Sequence, residues 1–188
     1  MPDPNPAVLD FLATRRSVPP KLLQAPAPSG QALDALLTIA LRVPDHGKLE
    51  PWRLIVLERA ALDRLAGPLE AWMRGRDADE AAVAKARAAM ESPLIVAVVA
   101  SPQGTDRIPA REQVLSAGAV CLALLEAALA GGWGAAWLTG WPSEDDFARG
   151  HLGLAAQESI VGMIHIGSFD GVVPDRPRPD LSQKVSFA

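Results

Sequence analysis

The sequence predicts an α+β fold, a layered domain around a mixed sheet. Short apolar runs suited to buried strands alternate with longer stretches of helical periodicity, the gaps between them are uneven, and the helices outweigh the strands. Hydrophobic residues make up 49% of the 188 positions and charged residues 21%, enough apolar material for a sizeable core in a chain suited to a single domain spanning 1–188.

In chain order, a first helix is expected from Ala7 to about Arg15, with Val8, Leu9, Phe11 and Leu12 on its apolar side. The span Val18 to Ser29 holds Pro19, Pro20, Pro26 and Pro28 and reads as an extended connection. Ser29 is placed to cap the next helix, where Leu33, Leu36, Leu37, Ala40 and Leu41 share a face; Pro44 ends it and Asp45–Lys48 forms a loop. Leu54 to Leu57 suits a short buried strand, and helices follow over roughly Ala60–Arg74 and Asp79–Met90. Pro93 introduces the clearest buried strand, Leu94 to Val99. A long helix is expected from about Arg111 to Ala130, then strands at Ala135–Leu138 and Ile160–Ile166. The proline-bearing tail, 173–188, is a candidate arm for packing on another chain.

The net charge of -4, with Lys and Arg scattered, argues against nucleic acid as the main partner. A single cysteine, Cys121, excludes an intrachain disulfide and fits a reducing cytoplasm. The first six residues lack a basic region followed by an apolar stretch, so no secretory signal is expected. Val114 to Trp137 carries one charge, Glu126, and approaches membrane-spanning length, but Gly131-Gly132 breaks it. A central helix of a soluble protein, with no membrane partner, is the expectation.

Three segments hold chemistry-bearing residues. Arg15-Arg16-Ser17 offers two guanidinium groups and a hydroxyl suited to a phosphate, although arginines also favour a helix C-terminus through its dipole. Arg42, His46 and Lys48 place three donors within seven residues of a loop that enters Pro51-Trp52; His46 has no partner at metal-ligand spacing, so no metal site is expected. Gly131-Gly132-Trp133-Gly134 leads through Trp137-Leu138-Thr139 to Gly140, where backbone can approach a flat ligand, or simply cap a helix before a strand. No G-x-G-x-x-G dinucleotide fingerprint and no G-x-S-x-G nucleophile elbow occurs, and tyrosine is absent.

Taken in order and spacing, Arg15-Arg16-Ser17, Ala40–His46 running into Glu50-Pro51-Trp52, Ser116-Ala117-Gly118, and Gly132-Trp133-Gly134 through Thr139-Gly140 resemble the nitroreductase-like FMN flavoproteins, in their small single-domain branch. The resemblance implies an α-β-α sandwich with a mixed sheet, forming an intertwined homodimer with FMN at the interface. Arg15, Arg16 and Ser17 would hold the phosphate and ribityl end. Arg42 and His46 would reach FMN from the other chain, Trp137, Leu138 and Thr139 would line the flavin, and the tail would wrap onto the partner. Lys48 is a candidate for positive charge near the flavin, and Trp52, Trp72 and Trp141 for the border of an acceptor pocket or for plain core.

The implied activity is an NAD(P)H-dependent nitroreductase, with hydride passing from nicotinamide to flavin N5 and on to a nitroaromatic, quinone or similar small acceptor. The chemistry belongs to the cofactor and no catalytic side chain is required. Two departures bear on this: Glu50 stands where relatives have glutamine before Pro-Trp, and His46-Gly47-Lys48 replaces Ser-x-Asn. Two rivals remain open, an FMN-binding sensor or storage protein with little turnover, and a flavin-free interaction module. No ribose-reading motif separates NADH from NADPH.

Overall fold

A computed structural model of the chain describes residues 3–104 and 107–187. Its centre is a four-stranded sheet of β1 (Trp52–Glu58), β2 (Leu94–Ala100), β3 (Gly134–Leu138) and β4 (Ser159–Gly167), in spatial order β1-β2-β4-β3. The layered α+β architecture is the expected one, but the mixed sheet is corrected. Every pairing among the described residues is antiparallel. The reason lies in the connections. Helices α3 (Arg59–Arg74) and α4 (Glu80–Met90) form a hairpin that returns the chain to the end it left, so β2 runs against β1. The single helix α5 (Ala110–Ala130) then carries the chain over the sheet, so β3 runs parallel to β2. β4 inserts between those two and is antiparallel to both.

β2 is buried along its whole length, and its alternating side chains feed two cores. Leu94, Val96 and Val98 pack with Val120, Leu124 and Leu33 beneath α5 and α2 (Gly30–Ala40), while Ile95, Ala97 and Val99 pack with Leu62, Met73 and Phe147 beneath α3, α4 and α6 (Asp145–Leu152). Helix α5 is long and apolar enough to cross a membrane, yet Ala117, Val120, Cys121, Leu124 and Ala128 are fully buried. It serves as the central helix that the sequence led one to expect.

Local departures have local causes. Helix α2 ends at Ala40, four residues ahead of Pro44, which has no N–H to return to Ala40 O and whose ring would clash there. Ser29 sits at its N-cap position, but its side chain makes no capping hydrogen bond. Asp79 does cap α4, accepting from the Ala82 amide at 2.7 Å. The Val18–Ser29 connection holds one short 3-10 turn, Pro20–Leu22, and a β-bridge from Gln24 to Ser168. Helix α6 was not expected: it is short and buries only Phe147 and Ala148, though its acidic first turn, basic last turn and left-handed Gly153 C-cap are recognisable signals. The first helix, α1 (Pro6–Thr14), buries nothing, and Val8, Leu9 and Leu12 are exposed.

One ion pair closes an end of the sheet. Glu158, just before β4, accepts two hydrogen bonds from Arg53 of β1, at 2.8 Å from Nε and 2.7 Å from Nη2, and a third from the Ala155 amide at 2.9 Å. The Arg53 hydrogen bonds outweigh the opposing cost of burial and hold the carboxyl at about 2, well below its ordinary 4.5. The stability from this pair is therefore complete above the ordinary value and is lost as pH falls through about 2. Glu158→Gln is expected to cost about 2 kcal/mol in urea unfolding at neutral pH. It should also flatten the acid side of the stability profile; an acid limb identical to the parent's would remove Glu158 as its source.

Candidate functional site

Strand order leaves β3 at an edge of the sheet, with its outer side unpaired by any strand. The segment after α1 settles against that side: Val18, itself buried, donates its amide to Ala135 O at 2.8 Å. This bond brings Arg15 and Ser17 opposite Trp137, Leu138 and Thr139. Leu122 and Leu125 of α5 and Val161 of β4 complete a pocket of about 480 Å³. Five residues singled out in the sequence thus meet in one place although they come from two distant segments of the chain.

The pocket combines an apolar floor with a cationic end. Arg15 Nε is buried and has no hydrogen-bond partner, a costly condition that an anionic acceptor such as a phosphate oxygen would relieve. Arg16 does not line the pocket. Its Nη1 donates to Pro174 O at 2.6 Å and to Asp175 Oδ1 at 3.0 Å, tying the start of the C-terminal arm to the end of α1. Beyond that anchor the arm is exposed, with Leu181, Val185 and Phe187 open to solvent; residue 188 lies outside the described residues. No group of three or more His, Cys, Asp or Glu suited to a metal occurs among the described residues.

A bulge in β4 shapes the floor. The pairing register with β2 shifts at Val98/Val99, so Val161 is the extra residue. Val161 lines the pocket, while Gly162 lies under the Trp137 indole: a Cβ there would overlap Trp137 Nε1 and stand 2.9 Å from Cys121 Sγ. Only glycine allows that approach. Burial raises the Cys121 thiol to about 12, leaving it an inert packing group.

Arg42, His46 and Lys48 are exposed and lie away from this pocket. His46 Nδ1 is 2.8 Å from Glu112 Oε2 in the first turn of α5. At about 1.5 Å per residue, that is some 15 to 20 Å along the helix from Leu122 and Leu125. The loop is strained, with Lys48 and Glu50 at φ +54 and +48. Asp45 holds it by accepting from the Glu50 amide at 2.8 Å, and Ser116 Oγ donates to Pro44 O at 2.7 Å while accepting from Trp52 Nε1 at 3.1 Å. Trp52 is thereby a packing group of this loop, and Trp72 stacks edge-on against Trp141 and Phe147. Sequence reasoning missed Val18, Leu122, Leu125, Val161 and Gly162. The helical spacing Gly118, Leu122, Leu125 was a usable signal, whereas the bulge left none.

A model of the Nitroreductase family matches residues 12–168. A provisionally named NAD(P)H nitroreductase of Escherichia coli (strain K12), YdjA, is 35% identical over 161 residues, covering 85% of this chain and 87% of that protein. Among solved structures, a nitroreductase-like family protein from Bacillus cereus superposes with a TM-score of 0.80 at 22% identity, over 100% of this chain and 98% of that one. The FMN-dependent nitroreductase NfnB from Mycobacterium smegmatis, solved with NADPH, gives 0.75 at 19% identity, over 97% and 98%. The chain belongs to the nitroreductase family.

Gly162→Ala is expected to lift Trp137 off β4, altering the near-ultraviolet circular dichroism and costing about 1–3 kcal/mol of stability. An unchanged aromatic spectrum would mean that the indole does not rest on this glycine.

Proposed function

We propose that this member of the nitroreductase family is an FMN-dependent NAD(P)H oxidoreductase, a nitroreductase acting on small-molecule acceptors as a cytoplasmic homodimer of single-domain chains. The observation that carries the proposal is the pocket at β3, where Arg15, whose Nε is buried and unpartnered, joins apolar side chains beside the edge strand. That donor set fits FMN: a cation and a hydroxyl for the phosphate, apolar side chains for the ring, and strand backbone for its polar edge. The names of YdjA and NfnB support the same chemistry.

Arg15 and Ser17 would hold the phosphate end, and Arg16, beside them, adds positive charge while fixing the arm. Trp137, Leu138 and Thr139 would orient the ring along β3. FMN held there would supply two-electron redox chemistry between NAD(P)H and a nitroaromatic, quinone or similar acceptor. Arg42, His46 and Lys48 sit too far along α5 to serve the same pocket, so they would serve the pocket of a second copy. The exposed Val8, Leu9 and Leu12 of α1, Leu115 of α5 and Phe187 of the arm supply apolar surface for that contact.

Purified protein is expected to show a flavin absorption spectrum, to release FMN at about one per chain, and to sediment as a dimer. It should oxidise NAD(P)H with a nitroaromatic or quinone. Arg15→Ala should weaken FMN binding about 30-fold, the equivalent of one charged hydrogen bond, without changing the secondary-structure spectrum. A colourless protein that takes up no added FMN would overturn the proposal. Tight FMN binding with no turnover would favour a flavin sensor or store instead.

A further inference from the structure

On the other face of β3, under α4, lies a second cavity of about 290 Å³. Leu138 and Thr139 line both cavities and form the wall between them. Its origin is in the sequence of α4, which faces the sheet here through Ala82, Ala86 and Ala89, spaced four and three residues apart on one side of the helix. Protein interiors are packed close to crystal density, so leaving such a space where leucines would fill it is uncommon. An apolar cavity of about 150 Å³ already accepts benzene. This one has room for a substituted single ring and none for a flavin or a dinucleotide.

Its walls and polar groups narrow the chemistry. Met90 and Met163 offer thioethers and Trp141 an indole, surfaces that favour an aromatic ring over an alkyl chain. In the wall, His165 is 3% exposed, and its Nδ1 lies 2.8 Å from Ser92 Oγ, which leaves Nε2 for an occupant. Burial lowers its pKa to about 4, so the ring is neutral at physiological pH and serves as a hydrogen-bonding group. At the rim stands the exposed ammonium of Lys85. The neighbouring carboxylates do not engage it: Glu80 is paired with Arg74, and Glu70 with Arg74 and Arg87.

We propose that this cavity binds a single-ring aromatic carboxylate. The ring occupies the space left by the alanines, the carboxylate meets Lys85, and a polar ring substituent hydrogen-bonds His165. The groups that would hold the ligand, the α4 alanines, Lys85 and His165, do not line the first pocket, so the site stands apart from the flavin assignment.

The test is calorimetric titration of the protein as isolated with 4-hydroxybenzoate, with benzyl alcohol as the uncharged comparator and flavin content measured on the same samples. Saturable one-to-one binding with Kd at or below about 1 mM is expected, with benzyl alcohol weaker. Lys85→Ala should weaken 4-hydroxybenzoate about tenfold and leave benzyl alcohol unchanged. Ala86→Leu, which fills the cavity, should abolish both. Ala82→Leu, nearer the surface, makes the same test should Ala86→Leu fail to fold. Absence of saturable binding, full affinity in the leucine variants, or displacement of the ligand by FMN would overturn the assignment. Loss of flavin with retained 4-hydroxybenzoate binding would count against the flavin site alone.

Discussion

Burial of β2 on both faces is the constraint from which the rest of the structure follows. A strand whose every side chain is enclosed must be covered by a layer on each side, and each large aliphatic residue so enclosed contributes about 1.5–3 kcal/mol. Leu94, Val96 and Val98 demand α5 and α2 on one side; Ile95, Ala97 and Val99 demand α3, α4 and α6 on the other. Two pockets lie at one edge of the sheet, on the two faces of the β3 end.

Both cavities follow from β3 being short and thinly covered. On the α5 side, residues 15–18 lie along the strand through the single Val18–Ala135 hydrogen bond, and the pocket opens where that contact ends. On the α4 side, alanines hold the helix back from the strand end. Leu138 and Thr139 thus line a pocket on each face. A bulge one strand away places Val161 in the lining of the first pocket, so the geometry at the edge is set partly from within the sheet.

The sequence made the elements legible wherever one periodicity dominated. Leu94–Val99 is continuously apolar, α5 is apolar over most of its length, and α3 is amphipathic, and all three lie where they were expected. Strand neighbours were less legible, because alternation of helix and strand reports chain direction and not adjacency. β2 and β3 do run parallel, but β4, arriving later, separates them. Helix α6 escaped because two buried residues in eight make too weak a pattern. At the site, Arg15, Ser17, Trp137, Leu138 and Thr139 were recognisable by chemical type and by family resemblance. Gly162 and Val161 act through close packing and a register shift, which composition does not encode in a local motif.

Helix α1 poses the remaining energetic question. It has nine residues, fewer than the roughly 12–15 that an isolated helix needs for even marginal stability in water. Its visible support is small: the Asn5 cap to the Val8 amide, Pro6 at its first position, and a hydrogen bond from the Arg15 amide to Phe11 O. Those are worth about 1 kcal/mol each, and the helix buries no residue against its own chain. Yet its C-terminal end must be held in place, because Arg15 and Ser17 emerge from it directly into the pocket. Val8, Leu9 and Leu12, spaced as one apolar stripe, are the means by which a second copy would order α1. In such a dimer, the ordering of α1 and the phosphate end of the proposed flavin site would be one physical problem. A surface that covered the stripe would also fix the position of the Arg15 guanidinium.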